Sequence, residues 1–343
     1  MPPNARGCWR SARFHKPVGQ AIRLPCAGQR PAPPRTSEVV YSVKVLVVHT
    51  LPPETAGAGR TVDEFDLNAA AQNVAAALPE AAVAGVRGDL REILALLDAH
   101  QPDVVFNACE APAGRPDLEP HVAALFEWLG VRFTGCGSET LALCRRKDRV
   151  NAVLAAAGVP VPRRGVFPCI VKPADEDGSA GIYADSICQD ADAVARARAR
   201  LPGPALVEEF LPGREFAVSL WGRREPEFVS IGEFLFRNGL RLNTYAAKWE
   251  VASADFANSP LDYRTEIAPS LHEAIIAAAR GAWRAVEARG YLRMDIRLDA
   301  AGSPHVLDVN PNPELGPGVG VCRAVQEAGW TWEQFVRRQV EWA

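Results

Sequence analysis

Arg293-Met294-Asp295-Ile296-Arg297-Leu298-Asp299, followed by Val306-Leu307-Asp308-Val309-Asn310-Pro311-Asn312-Pro313, alternates apolar and polar residues in the manner of two adjacent half-buried strands. Such a period places Arg293, Asp295 and Arg297 on one face of the first strand, and Asp308 and Asn310 on one face of the second. Two carboxylates and an amide oxygen then converge. Oxygen ligands of this kind suit Mg²⁺, which keeps several waters and shares its coordination with substrate phosphates. Cross-strand Arg–Asp pairing is the plainer alternative, but an Asn at the mouth of a Pro-rich loop adds nothing to such a pair.

Upstream, Ile170-Val171-Lys172-Pro173-Ala174-Asp175-Glu176-Asp177-Gly178-Ser179-Ala180-Gly181-Ile182 puts a lysine at a strand end and then a loop of small residues. A loop of this kind can approach a phosphate closely and donate backbone N–H groups while the lysine supplies charge. Leu206-Val207-Glu208-Glu209-Phe210-Leu211-Pro212-Gly213-Arg214-Glu215-Phe216 reads as a turn between two apolar strands, bracketed by Glu208 and Glu215. Both carboxylates could face one cleft and accept hydrogen bonds from a nucleobase amine and from ribose hydroxyls. Lysine occurs only at positions 16, 44, 147, 172 and 248, in a chain that otherwise uses arginine. The last three sit in or beside these motifs, where a compact ammonium differs physically from a planar guanidinium.

The rest of the chain supplies the frame. Residues 1–42 are rich in Pro, Arg, Gly and Ala without hydrophobic periodicity, which predicts a disordered leader. A transit peptide has that composition, and an upstream extension of the reading frame before Val43 explains it as well. From Val43, a buried strand, an Ala-rich helix over 66–78, a helix over 89–99 and a strand over 103–107 alternate, which predicts a parallel sheet wrapped by helices. A helix over 118–129 ending at Gly130 and a short strand over 131–134 follow. One helix over 138–157, a strand over 169–172, a helix over 190–201 and a strand over 205–209 come next. Strands over 214–220, 228–236, 292–298 and 305–309 then predict a mainly antiparallel sheet, with a long helix over 270–289.

A net charge of −3 gives no general field for nucleic acid, and no apolar run reaches the ~20 residues a membrane helix requires. The eight cysteines are scattered with no C-x-x-C pair, as in a reduced cytoplasmic protein, and none is assigned chemistry.

In this order and spacing the three motifs resemble the ATP-grasp superfamily, and most closely its D-alanine–D-alanine ligase family. The resemblance runs from about Val43 to the C-terminus, and its specific part is Lys147 to Asn310. It implies an α/β fold, α+β in its C-terminal part. A Rossmann-like N-terminal domain would occupy 43–140, a small central lid domain 141–206 and an antiparallel C-terminal domain 207–343. Lys147 stands eleven residues before Gly158, as the family's first nucleotide lysine does. By this resemblance Lys147 and Lys172 contact ATP phosphates, and Ser179 and Gly181 lie in the phosphate-covering loop. Glu208, Phe210 and Leu211 line the adenine side, and Glu215 meets the ribose. Lys248, in Tyr245-Ala246-Ala247-Lys248, resembles the mobile-loop lysine that reaches the γ-phosphate. Arg293 matches the arginine that stabilises the tetrahedral intermediate. Asp295, Asp308 and Asn310 match the ligands of Mg²⁺ or Mn²⁺, and Glu64 matches the group that holds the first substrate's amine.

Departures fall on the substrate side. Gly178-Ser179 replaces the family's serine pair, and Trp249 stands where a tyrosine is usual. Asn107-Ala108-Cys109-Glu110 replaces its His-Gly segment, and Asn310-Pro311-Asn312-Pro313-Glu314 its Asn-x-x-Pro-Gly ending. The family's network of Glu64 with a serine and a tyrosine therefore cannot form in the usual way. The implied activity is an Mg-ATP-dependent carboxylate–amine ligase acting on amino acids, in the cytoplasm and as a homodimer. A ligase for a different amino acid or peptide, for which Glu110, Glu119 and Glu314 would read a basic group, and a nucleotide-binding module without ligase activity are the alternatives.

Overall fold

Val45–Thr50 (β1) is a run of six buried residues, as a strand covered on both faces requires. Helix α1 (Asp63–Ala77), strand β2 (Ala82–Val86), helix α2 (Leu90–His100), strand β3 (Val104–Ala108) and helix α3 (Glu119–Leu129) follow. The three strands pair in parallel in the order β2-β1-β3. This computed structural model describes residues 43–51, 63–176, 178–250, 252–318 and 320–343, apart from the side chains of 63–68 and 249. The leader expected to be disordered, and the side chains of Glu64 and Trp249, lie outside the described residues. Strand β2 was not anticipated, because its Ala-Val-Ala-Gly-Val run is only partly buried at a sheet edge. The strand expected over 131–134 is a single parallel bridge between Phe133 and Val105, after which Gly135 turns the chain with φ +85°.

The single helix expected over 138–157 is two, α4 (Ser138–Cys144) and α5 (Lys147–Ala156). Arg146 leaves helical geometry at φ −117° and ψ 93°, and the backbone N–H of Lys147 donates to the Ala174 carbonyl at 2.8 Å instead of continuing a helix. A small antiparallel unit comes next: β4 (Cys169–Pro173), β5 (Ile187–Cys188), helix α6 (Ala191–Ala199) and β6 (Ala205–Glu209), with strand order β5-β4-β6. It has its own core of Cys169, Val171, Cys188 and Ala197.

The remainder comprises β7 (Glu215–Gly222), β8 (Pro226–Phe234), α7 (Tyr245–Trp249), α8 (Ala254–Ala257), β9 (Leu261–Asp262) and α9 (Pro269–Ala285). Then come β10 (Gly290–Leu298), β11 (Pro304–Asn310), α10 (Gly320–Glu327) and α11 (Trp332–Trp342). The strands form one antiparallel sheet, β11-β10-β7-β8-β9. Helix α9 stops four residues short of its expected end, because Glu287 adopts φ +52° and turns the chain toward β10. Glu208 and Glu215 bracket the link expected between two strands, but β6 and β7 belong to different sheets, and the chain between them crosses from one to the other.

One face of the five-stranded sheet, with Phe216, Val218, Leu292, Met294 and Ile296, packs into a core continuous with Leu46, Val48 and Val105 of the parallel sheet. The opposite face is a series of rungs across the strands. Phe228, Trp221 and Tyr291 form the first, and Ser230, Ser219, Arg293 and Asn310 the second. Gly232, Ala217, Asp295 and Asp308 form the third, and Phe234, Glu215, Arg297 and His305 the fourth. Trp330 and Phe335 cover the first rung through edge-on aromatic contacts. The third and fourth rungs, through Asp295, Asp308, Glu215 and Arg297, line a cavity against the small sheet. Among the described residues no helix is long and apolar enough to cross a membrane.

Candidate functional site

The small sheet and the five-stranded sheet hold this cavity between them. Strand β4 directs Lys172 into it, and β6, directly paired with β4, directs Glu208. Lys172 Nζ lies 2.6 Å from Glu208 Oε1 and donates to the Leu307 carbonyl at 3.1 Å. That carbonyl is available because β11 carries a bulge between the Asp308 and Val306 pairings, which turns Leu307 out of register. The other Glu208 oxygen accepts from Asn151 Nδ2 at 3.0 Å. Both charges of this pair are almost wholly buried, so each needs the other.

The break before α5 brings Lys147 to the same cavity. Its Nζ donates to the Glu176 carbonyl at 2.8 Å and lies 3.4 Å from Asp308 Oδ1. The loop after β4 is bent by successive positive-φ residues, Gly178 at 64°, Ser179 at 62° and Gly181 at 72°. Ser179 lines the cavity, whereas Gly181 packs beneath it, where a Cβ would come within 2.8 Å of Pro173. Lys248 reaches the cavity from α7, a single helical turn where a mobile loop was expected. Thr244 caps that turn, its hydroxyl accepting from Ala247 N at 3.2 Å and donating to Asp255 at 2.8 Å.

On the fourth rung Glu215 pairs with Arg297 at 2.8 Å, both buried. Burial pushes the Glu215 carboxyl up, and Arg297 pulls it back only in part. Phe210 and Leu211 are buried at the cavity wall, with the Arg241 and Arg297 guanidiniums 4.6 Å and 5.0 Å from the Phe210 ring. On the neighbouring rung Asp295 accepts from Arg293 at 2.9 Å. Burial opposes ionisation of Asp295, but Arg293, Lys248 and Lys172 outweigh it and hold the carboxyl below the ordinary range.

Asp295 and Asp308 are direct cross-strand partners, and Asn310 follows on the same face of β11, with its Oδ1 accepting from Asn312 N at 3.0 Å. Among the described residues no three His, Cys, Asp or Glu side chains cluster in a way that could hold a metal. The set is two carboxylates and an amide, and a divalent cation here would draw its remaining ligands from phosphate and water. That donor chemistry fits Mg²⁺.

Two of the substrate-side departures meet. Asn312 Nδ2 donates to the Cys109 carbonyl at 3.1 Å and to Glu119 at 2.5 Å, and Glu110 N donates to Thr50 Oγ1 at 3.2 Å. The Asn107–Glu110 segment and the Pro-rich loop after β11 are thus fitted to each other. The Cys109 thiol, buried there, is pushed up to about 12, mainly by desolvation, and is no nucleophile at neutral pH.

Asn151, Asn243 and the Leu307 carbonyl belong to the site and were not singled out from the sequence, and Arg297 was placed on the right face without a role. Asn151 was within reach, since it stands one helical turn after Lys147 on the same face. The bulge that exposes Leu307 leaves no mark in the sequence pattern.

A family model described as the D-ala D-ala ligase C-terminus matches residues 145–341. An uncharacterised protein of Sinorhizobium fredii, y4sG, is 31% identical over 252 residues, covering 69% of this chain and 74% of the relative. A D-alanine–D-alanine ligase of Dinoroseobacter shibae is 30% identical over 269 residues, covering 73% and 81%. The crystal structure of a Bacillus anthracis D-alanine–D-alanine ligase complexed with ATP superimposes with a TM-score of 0.64 at 17% identity, over 88% of this chain and 96% of that one. At that identity the likeness establishes the fold.

Proposed function

The chain belongs to the D-alanine–D-alanine ligase family and has its ATP-grasp fold, and on that premise we propose that it joins a carboxylate to an amine through an acyl phosphate formed from ATP. The observation that carries this is the meeting of Lys147, Lys172, Lys248, Asp295 and Asp308 in one cavity between the two sheets. Two steps make up the reaction. An oxygen of the first substrate's carboxylate attacks the γ-phosphorus of ATP, the bond to the β-phosphate oxygen breaks, and ADP leaves. The amine of the second substrate then attacks the activated carbonyl, loses a proton and expels inorganic phosphate. No protein nucleophile is needed.

Lys147, Lys172 and Lys248 neutralise charge on the phosphates, Lys172 exchanging its bond to Glu208 for one to a phosphate oxygen. Phe210 and Leu211 give the adenine an apolar wall, and Glu208 and Glu215 accept from the nucleoside. Ser179 lies in the covering loop, and Gly181 gives that loop its left-handed turn. Arg293 has a buried Nε with no hydrogen-bond partner among the described residues and can donate to the oxyanion that develops at the acyl carbonyl. Asp295, Asp308 and Asn310 would hold Mg²⁺ or Mn²⁺, which would supply charge neutralisation to the phosphoryl group. Glu64, at the start of α1, is assigned to the first substrate's amino group on the family resemblance alone. A cytoplasmic homodimer, organised as an N-terminal domain over 43–140, a central one over 141–206 and a C-terminal one over 207–343, completes the proposal.

The test is interception of the acyl phosphate. The full chain is incubated with Mg-ATP, hydroxylamine and each of a panel of D- and L-amino acids, and hydroxamate is measured. Hydroxamate formed with at least one amino acid, and lost in Lys248→Ala with the nucleotide still bound, is the expected result. ATP binding without hydroxamate from any amino acid would favour a nucleotide-binding module instead.

A further inference from the structure

The small sheet forms one wall of the cavity and has very little interior of its own. Its buried core is Cys169, Val171, Cys188 and Ala197. Strand β5 is two residues long and joins β4 through two pairings, Cys169 with Cys188 and Ile170 with Ile187. An edge strand held so briefly opens easily. Alternation along β4 sends Ile170 and Lys172 toward the cavity, and Cys169 and Val171 into the small core on the other face.

This pairing sets two cysteines face to face. Cys169 and Cys188 are direct antiparallel partners, both free and both buried. Of the described cysteines only these two lie on strands, and no C-x-x-C spacing marks them in the sequence. Directly opposite residues of antiparallel strands have Cα atoms about 4.5 Å or about 5.5 Å apart, according to the kind of pair. Both separations fall within the roughly 4.4–6.8 Å that a disulfide spans. The two thiols also act on each other, since Cys188 adds to the burial that pushes the Cys169 thiol up. Burial and Asp185 push the Cys188 thiol up as well, with Arg200 opposing. Such thiols oxidise slowly, as suits a staple and not a catalyst. Cys188 Sγ donates to the Ser186 carbonyl at 3.5 Å, a weak bond whose loss costs little.

We propose that Cys169 and Cys188 are a site of reversible oxidation, forming under hydrogen peroxide a disulfide that staples β5 to β4. The inference goes beyond the ligase reading and does not depend on it. One sulfur gives up its proton and attacks a peroxide oxygen, the O–O bond breaks, and a sulfenic acid and water form. The second sulfur then displaces the hydroxyl, which leaves as water with the second thiol's proton. Two thiols and one peroxide thus give one disulfide and two waters, the peroxide taking up two electrons. The bond closes a loop of about 20 residues that includes Lys172 and Ser179, so it constrains the unfolded chain where the native core is smallest. Lying on the face away from the cavity, the sulfurs reinforce that wall without entering the site.

The experiment treats the full chain, reduced and folded, with hydrogen peroxide below its thermal transition. Remaining thiols are alkylated after denaturation and the chain is cut after glutamate, because Glu176 separates the two cysteines. The expected product is a pair of peptides joined through Cys169 and Cys188, with a Tm about 5 °C above that of the reduced chain. Dithiothreitol should reverse both changes, and Cys188→Ala should show neither. Should Cys188→Ala lack a thermal transition, Cys169→Ala is read in the same way. Both thiols recovered alkylated, either one recovered as sulfinic acid or joined to a different cysteine, or a linked pair with no rise in Tm overturns the proposal. A rise in Tm that persists in the alanine variant overturns it equally. A chain that forms the link yet makes no amide with any substrate pair overturns the ligase reading alone.

Discussion

At the scale of single residues, the chain's sparing use of lysine has a physical counterpart in the site. Lys172 is buried against Glu208, and a buried pair costs little while whole but much when one member is removed, about 3–5 kcal/mol. Lys172→Met should therefore lower the free energy of unfolding by about that amount, measured by urea denaturation. Glu208→Gln should cost less, because the amide can still accept from Asn151. A loss below about 1 kcal/mol in Lys172→Met would mean the pair is not desolvated. Asp295 gives a pH-dependent counterpart. Its carboxyl is held below the ordinary range, so its contribution to stability is complete above the unfolded carboxylate range near ~4 and is lost as pH falls through the folded value. Asp295→Asn should therefore flatten the acid-side fall in Tm between about pH 5 and pH 3, and an unchanged slope would show that another group governs that limb.

At the scale of elements, position along the sheet decides the chemistry. Strand β10 begins at Gly290, whose φ is +74° and whose Cβ, if present, would meet the backbone of Gly135 at 2.9 Å. Gly290→Ala should cost roughly 1–3 kcal/mol from the left-handed backbone alone, and the backbone contact can only add to it. A Tm equal to that of the parent would contradict the close approach. The rungs of this sheet were largely readable from the sequence, because Arg293, Asp295 and Arg297 alternate with Leu292, Met294 and Ile296 at a period no helix shares. The break between α4 and α5 was not, since residues 138–157 are helical in propensity throughout and only the tertiary bond from Lys147 N to Ala174 O interrupts them. Helices α10 and α11 were also missed. Helix α10 buries Val321, Cys322, Ala324 and Val325, and α11 buries Phe335, Val336 and Val340, so both rely on valine, which does not by itself separate helix from strand. On the substrate side the sequence displayed the departures at Asn107–Glu110 and after Asn310, but not that Asn312 would join them.

At the scale of the whole molecule, the cavity exists only because two sheets with separate cores face each other, tied by Lys172 to the Leu307 carbonyl and by Lys147 to Asp308. Under the proposed function each lysine would exchange a protein oxygen for a phosphate oxygen, which would link nucleotide binding to the relation of the two sheets. The measurement that bears most directly on what this arrangement does is the ratio of amide product to ADP, with D-alanine and then other amino acids as substrates. An ATP-driven ligase gives one amide per ADP with the productive pair, and no ADP when the amine-bearing substrate is withheld beyond the first turnover. ADP released steadily without amide, or no turnover with any pair despite bound ATP, would contradict the assignment of this cavity to ligation.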